Sequence, residues 1–294
     1  MLDLGLVGTI DPLVERPGGT ESVIRTMVRF ADPGLSIGIV GSRRDGLSAS
    51  HRWEKTSLGG RAVWFYPAIE TGEHARGRLP VTFQMAATLG LRQPVAAFDQ
   101  LHFHRLEFAT VPALRQHATT RVAWVHGDGY SHLDSPASRW SSHPRLYWTM
   151  VSLAAKRVDH LLVTSEEGSR ILARRTRRPV SSCPTWFDPD LFVPGDRPRD
   201  LAFAWVGRLS AEKDPLLAVE TFAAIRRREP TARLTLVGDG PLERAVRERV
   251  GRLGLGEQVT LTGSLRREDV ANVLRRSRVL LMTSHYEGWS RVLV

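Results

Sequence analysis

The chain's clearest chemistry begins with two cations on one short stretch, F-A-W-V-G-R-L-S-A-E-K-D-P, residues 203–215. An apolar strand ends at Gly207, Arg208 follows at its carboxyl end, and Lys213 stands just before a helix. A guanidinium and an ammonium beside the amides of a helix N-terminus make an electropositive cradle for an anion such as a diphosphate. A surface loop with solvated charges is the plainer reading of the same pair. A second turn, L-T-L-V-G-D-G-P-L (234–242), sets Gly238 and Gly240 around Asp239 where a strand passes into a helix. Glycines there permit positive φ and close backbone approach, so the amides are placed to face a phosphate or ribose. A tight strand-to-helix turn requires the same residues. The third is S-H-Y-E-G-W-S-R-V-L-V (284–294), with Glu287 on a turn, Gly288 and Trp289 beside it, and Ser290 near an expected helix start. A carboxylate there accepts hydrogen bonds from sugar hydroxyls, and helix-start amides receive a phosphate. Balancing a helix dipole is the alternative role for Glu287.

These turns need elements to hold them. Short apolar, β-branched runs recur along the chain at 2–8, 35–40, 62–66, 100–104, 121–126 and 160–164, then at 201–206, 232–237, 258–262 and 278–283, the last expected to begin in a buried strand. Helical patterns lie between many of them, as at 21–30 and 215–227, where Leu216, Val219, Phe222, Ala223 and Ile225 share one apolar side. Strands separated by helices of this length imply βαβ units and parallel pairing. The stretch 184–200 holds four prolines and four aspartates, and no strand or helix runs through it. The expected organisation is therefore a first domain over 1–186, a linker over 187–200 and a second domain over 201–294. Both are doubly wound sheets that face each other and bind ligands beyond the carboxyl ends of their strands.

Composition narrows the partners. The formal net charge is +10, yet only three of the 41 basic residues are lysines, a skew that resembles coding bias more than a nucleic-acid patch. No basic run is interleaved with aromatics, so nucleic-acid binding is not expected. A mildly basic face near anionic lipid or a phosphorylated substrate fits the charge. No apolar run approaches the roughly 18 residues of a membrane span. The first residues read as a strand rather than a secretory leader. The single cysteine, Cys183, fits a reducing cytoplasm and reads as a small buried hydrophobe.

Taken as a set, V-G-R-L-S-A-E-K-D, L-V-G-D-G-P-L, V-T-L-T-G and M-T-S-H-Y-E-G-W-S-R-V-L-V closely resemble the nucleotide-sugar-binding half of family 4 glycosyltransferases, retaining enzymes of the GT-B fold. The first half adds P-G-G-T-E (17–21) and W-V-H-G-D (124–128), and F-D-P-D-L-F-V-P-G resembles the family's interdomain linker. The resemblance implies a GT-B architecture of two Rossmann-like domains, the second incomplete: the family's next conserved glutamate falls just past Val294, so the chain is expected to be truncated. It implies a retaining, metal-independent hexosyltransferase, with no cofactor, that moves a sugar from a nucleoside-diphosphate sugar to a hydroxyl of a glycan or lipid-linked acceptor. A cytoplasmic protein, peripheral at the inner membrane face, would suit such an acceptor and the apolar, helix-like stretch 78–91. Arg208 and Lys213 would neutralise the leaving diphosphate, His126 would hydrogen-bond the donor sugar, and Glu287 would orient sugar hydroxyls. Gly18 and Gly19 would approach the donor phosphates or the acceptor, and Gly263, Ser264 and Leu265 would meet the base through backbone atoms. Gly207, Gly238, Asp239, Gly240, Gly288, Trp289 and Ser290 complete the donor-binding set.

Competing readings remain open. The chain is alternatively an inactive nucleotide-sugar-binding fragment or pseudoenzyme. A nicotinamide-dependent oxidoreductase would fit the sheet but lacks the opening G-x-G-x-x-G and its acidic ribose partner. His102 and His104 share a strand face. With His126 on a neighbouring strand, three imidazoles could meet at a zinc ion. Asp188 and Asp190 have the spacing of a metal-binding pair but lie in the linker.

Overall fold

The computed structural model describes residues 1–15, 19–44, 46–71, 79–94, 96–127, 129–130, 133, 140–195, 202–285, 287, 290 and 292–293. The chain divides into two compact units, principally Met1–Trp186 and Phe187–Glu287. Each is built on its own sheet.

In the first unit the described strands are β1 (Leu2–Val7), β2 (Ile37–Arg43), β3 (Glu54–Leu58), β4 (Arg61–Glu70), β5 (Phe98–Phe103), β6 (Ala118–Val125), β7 (His160–Val163) and β8 (Val180–Ser182). Their order across the sheet is β3-β4-β2-β1-β5-β6-β7-β8. Every neighbouring pair is parallel except β3–β4. The expected parallel pairing holds for every described pair but this one, an antiparallel strand added at the sheet edge. β3 turns back on β4 through Gly59 and Gly60, both at positive φ (60° and 81°), the conformation a two-residue hairpin prefers. Helices α1 (Gly19–Phe30), α2 (Val81–Leu91), α3 (Leu106–Ala109), α4 (Pro144–Arg157) and α5 (Glu166–Thr176) pack around it. Central strands carry near-continuous apolar runs because both faces are covered: Leu6, Val7, Ile37, Ile39 and Val40 are almost wholly inaccessible. Gly41 in β2 stands where the loop after β1 crosses, and a Cβ there would sit 2.1 Å from the Ile10 carbonyl oxygen.

The second unit has a four-stranded parallel sheet in the order β11-β10-β9-β12, with β9 (Ala202–Val206), β10 (Arg233–Val237), β11 (Val259–Gly263) and β12 (Val279–Leu280). Helices α6 (Pro215–Arg226), α7 (Glu243–Arg252) and α8 (Arg267–Arg276) connect them. α6 buries Ala218, Val219 and Phe222, with Leu216, Ala223 and Ile225 packed at the margin, as its periodicity predicts. The expected buried strand after 278 is corrected. β12 is two residues long and its Val279 is exposed, because among the described residues it pairs with β9 alone and forms the sheet edge. Val292 and Leu293 lie in a turn where a helix start was expected. Cys183, which follows the edge strand β8, is half-buried and so is not the enclosed core residue anticipated. In the connecting stretch, Asp188 is wholly buried with Oδ2 3.5 Å from Arg267 Nη2, an engagement that gives its carboxylate a structural role. Among the described residues, no helix is long and apolar enough to cross a membrane.

One side chain ties the α1 C-terminus to the sheet. Arg61, at the start of β4, donates to the carbonyls of Val28 (3.2 Å), Ala31 (2.6 Å), Asp32 (2.5 Å) and Leu35 (2.7 Å). A guanidinium there satisfies carbonyls that the ended helix leaves without partners and complements its dipole. Arg61→Ala is expected to destabilise the protein by about 2 kcal/mol, read as a lower denaturant midpoint in equilibrium unfolding.

Candidate functional site

In the second unit the sheet brings the candidate turns together by backbone contact. Gly238 (φ 131°) lies so close to the β9 turn that a Cβ would fall 1.9 Å from the Gly207 carbonyl oxygen. Gly240 (φ 153°) lies over Leu209, where a Cβ would meet its carbonyl oxygen at 2.5 Å. Both positions therefore exclude a side chain on two counts, conformation and space. The turns are laced by main-chain bonds: Gly207 N–H donates to Val237 O (3.0 Å), Leu209 N–H to Asp239 O (2.7 Å), and Leu242 N–H to Leu209 O (2.9 Å). The Gly238 amide, which the sequence offers to a ligand, is taken by Gly263 O at 2.9 Å. What the glycines provide is nesting. Asp239 is exposed and its Oδ2 accepts from Ser264 Oγ at 2.8 Å, joining this turn to the one after β11. Leu265 is half-buried beside Ser264.

The β9 turn carries the cations. Arg208 is exposed one residue past Gly207. Lys213 ends a short 3-10 turn (Ala211–Lys213), and Asp214 then takes a left-handed conformation (φ 44°) and caps α6, its Oδ1 accepting from Leu217 N–H at 3.0 Å. Pro215 at the first helical position completes a standard helix start. The loop after β12 is stitched to this turn. Thr283 Oγ1 lies 2.9 and 2.7 Å from the carbonyl oxygens of Lys213 and Asp214 and accepts from Trp205 Nε1 at 3.0 Å. His285 N–H donates to Glu212 O, and its Nε2 lies 3.3 Å from Asp214 Oδ2. So held, Glu287 Oε1 meets Lys213 Nζ at 2.5 Å and accepts from Ser284 Oγ at 2.8 Å. At 29% and 22% side-chain exposure, this pair contributes about 1 kcal/mol at most to folding. Its geometry matters more: an ammonium and a carboxylate from residues far apart in sequence share one open loop cluster. Ser290 lies outside any helix or strand, and Gly288 and Trp289 fall outside the described residues.

In the first unit, Gly19 is the exposed first residue of α1, and Gly18 lies outside the described residues. The ion cluster beside Gly19 is not signalled by any motif in the residues. Glu21 Oε1 pairs with Arg25 Nη2 (3.0 Å) and Oε2 with Arg44 Nη1 (2.6 Å). Buried Asp11 accepts from the amides of Leu13 (2.8 Å) and Arg44 (2.6 Å). Arg25 Nη2 donates in turn to Asp11 O at 2.7 Å. Thus the loop after β1, the start of α1 and the end of β2 are locked to one another.

The histidines do adjoin, because β5 and β6 pair in parallel. His104 Nδ1 lies 3.1 Å from His126 Nε2, and Trp124 Nε1 donates to His102 Nδ1 at 3.2 Å. Among the described residues, no three His, Cys, Asp or Glu side chains are grouped to hold a metal ion. Burial pushes His102 down to about 4, and burial pushes His104 well below the usual imidazole range, with His126 and His102 adding to the effect.

Residues 190–294 match the sequence model of the family described as Glycosyl transferases group 1. A similar curated protein is an alpha-D-kanosaminyltransferase of Streptomyces kanamyceticus, 32% identical over 99 residues. That match takes in 34% of this chain and spans 25% of the relative's length. Among solved structures, a sucrose-phosphate synthase from Thermosynechococcus elongatus superposes with a TM-score of 0.76 at 18% identity, covering 99% of this chain and 78% of that one. Anabaena HepE in complex with UDP and glucose gives a TM-score of 0.65 at 14% identity, covering 99% and 77%. The fold is α/β of the GT-B type.

Two outcomes follow from this geometry. Gly238→Ala, which sets a methyl against the Gly207 carbonyl at positive φ, is expected to cost about 3 kcal/mol, read by urea unfolding of the purified chain. Because His102 and His104 bind protons more readily unfolded than folded, their contribution is fully present above pH 6.5 and is lost as the pH falls below it, for His102 toward about 4. Thermal midpoints should decline across that window, and His102→Gln should flatten the decline.

Proposed function

We propose that this chain carries out retaining glycosyl transfer from a nucleoside-diphosphate sugar to a hydroxyl acceptor, in the manner of family 4. The observation that carries the reading is the Lys213–Glu287 pair on nested turns, within the stretch that matches the group 1 family. A diphosphate bears more negative charge than one carboxylate. It therefore competes for Lys213 and draws on exposed Arg208, while Glu287, relieved of part of that contact, is available to sugar hydroxyls. As the bond between the anomeric carbon and the phosphate oxygen breaks, negative charge grows on the diphosphate. Fixed cations stabilise that charge more in the transition state than in the ground state. The acceptor oxygen attacks from the face the leaving group departs, its proton passing to the departing phosphate oxygen, so configuration is retained without a covalent enzyme intermediate. Glycines 207, 238, 240 and 263 and Asp239, Ser264 and Leu265 form the floor on which the nucleotide rests. In the first unit, His126 is the residue assigned to a sugar hydroxyl. A hexose donor, a glycan or lipid-linked acceptor, and independence from metal complete the proposal. HepE, solved with UDP and glucose, supports the donor class.

The test is turnover of a panel of nucleotide sugars, followed by release of nucleoside diphosphate and by NMR of the product's anomeric configuration. Lys213→Ala and Arg208→Ala are each expected to lower turnover about 10²–10³-fold. Unchanged turnover in both variants refutes the site assignment. Calorimetric binding of a donor with no turnover by the wild type would favour the alternative, a nucleotide-sugar-binding protein without transferase activity.

A further inference from the structure

Glu287 sits between two donors, and both reach the same oxygen. Lys213 Nζ lies 2.5 Å from Oε1, and Ser284 Oγ lies 2.8 Å from it. A carboxylate only accepts, so the Ser284 hydroxyl is the donor. Among the described residues, Oε2 is neither hydrogen-bonded nor enclosed, and the side chain keeps 22% of its surface in water. The Ser284 hydroxyl bonds no backbone group among the described residues, as a serine that only shapes a turn would. Its partner is the carboxylate.

The place of Ser284 is fixed by its neighbours. Trp205 on β9 is buried at 2% exposure, and its indole N–H, a donor only, gives its proton to Thr283 Oγ1 at 3.0 Å. The Thr283 hydroxyl proton is then directed at the carbonyls of Lys213 (2.9 Å) and Asp214 (2.7 Å). On the other side, His285 N–H donates to Glu212 O at 3.0 Å. Ser284 therefore stands between two residues tied to the turn that carries Lys213. The two donors to Glu287 differ in what an anion does to them. An incoming diphosphate attracts the ammonium of Lys213 and at the same time repels the carboxylate. Ser284 carries no charge for it to draw away.

We propose that Ser284 is a positioning residue for Glu287: it keeps Oε1 in place when Lys213 turns to the diphosphate, so that Oε2 stays open to the sugar hydroxyls of the donor. The sugar half of this statement rests on the proposed function; the hold on Glu287 does not. One ion pair then supplies a cation for the phosphate end and a placed acceptor for the sugar end of the same molecule.

Crystal structures of two variants and one kinetic comparison test it. In Lys213→Met, Glu287 is expected to stay on Ser284 Oγ. In Lys213→Met combined with Ser284→Ala, it is expected to leave that position. A Glu287 that turns away from Ser284 in Lys213→Met overturns the proposal, whatever the protein binds. With the nucleotide sugar that the donor panel selects, Ser284→Ala is expected to lower kcat/KM about tenfold, the worth of one hydrogen bond. The Kd of the diphosphate which that donor releases (UDP, GDP or ADP) is expected to move less than about twofold, because Lys213 and Arg208 are intact. Ser284→Thr, which keeps the hydroxyl, is expected to restore turnover. Unchanged kcat/KM in Ser284→Ala overturns the proposal, and so does diphosphate binding weakened as much as turnover, the mark of a merely structural role. If Glu287 is held as stated but no nucleotide sugar is bound or turned over, the positioning stands and the transferase reading falls.

Discussion

A parallel sheet sends every strand's carboxyl end to the same edge, and in the second unit that constraint governs the rest. The turns after β9, β10 and β11 leave side by side, at the spacing of neighbouring strands, so each must run in backbone contact with the next. There is no room for side chains where Gly238 passes the Gly207 carbonyl or Gly240 passes Leu209. The glycines answer this crowding first. Their amides are largely spent on one another, and the surface left for a ligand is made by what the nested turns raise above themselves: Arg208, Lys213, Asp239 and Ser264.

Charge in the unit is sorted by burial. Asp188 is buried against Arg267, and Glu21 is enclosed between Arg25 and Arg44 in the first unit. Carboxylates removed from water must keep their partners, so these pairs hold loops in place. Lys213 and Glu287 keep a fifth to a third of their surface in water. A pair so exposed is held weakly enough to be re-formed around an incoming anion, which is the property a diphosphate site needs.

The first unit works by the opposite means. At the ends of β5 and β6 the polar groups are rings, His102, Trp124, His104 and His126, joined by ring-nitrogen hydrogen bonds and parallel packing. Burial suppresses the charge of His102 and His104.

Much of this was legible in the residues. Periodicity marked the long strands and α6, because burial on one or both faces is written into local composition. The Asp214 cap before Pro215 and the Gly59-Gly60 hairpin came from the structure, and β3 was passed over: its E-K-T-S-L is too polar to stand out as a strand. The pattern also overstated β12, since apolar residues look alike whether a strand has two neighbours or one. The turns could be named from sequence, but their use could not. The carboxylate that meets Lys213 lies 74 residues away, and the threonine that holds their loops together bonds to Trp205 across 78. Partners at such separations are chosen by strand order, and strand order belongs to the folded chain. The residue types determined that cations, carboxylates and imidazoles were available at strand ends. Only the tertiary structure decided which of them touch and which amides are already taken.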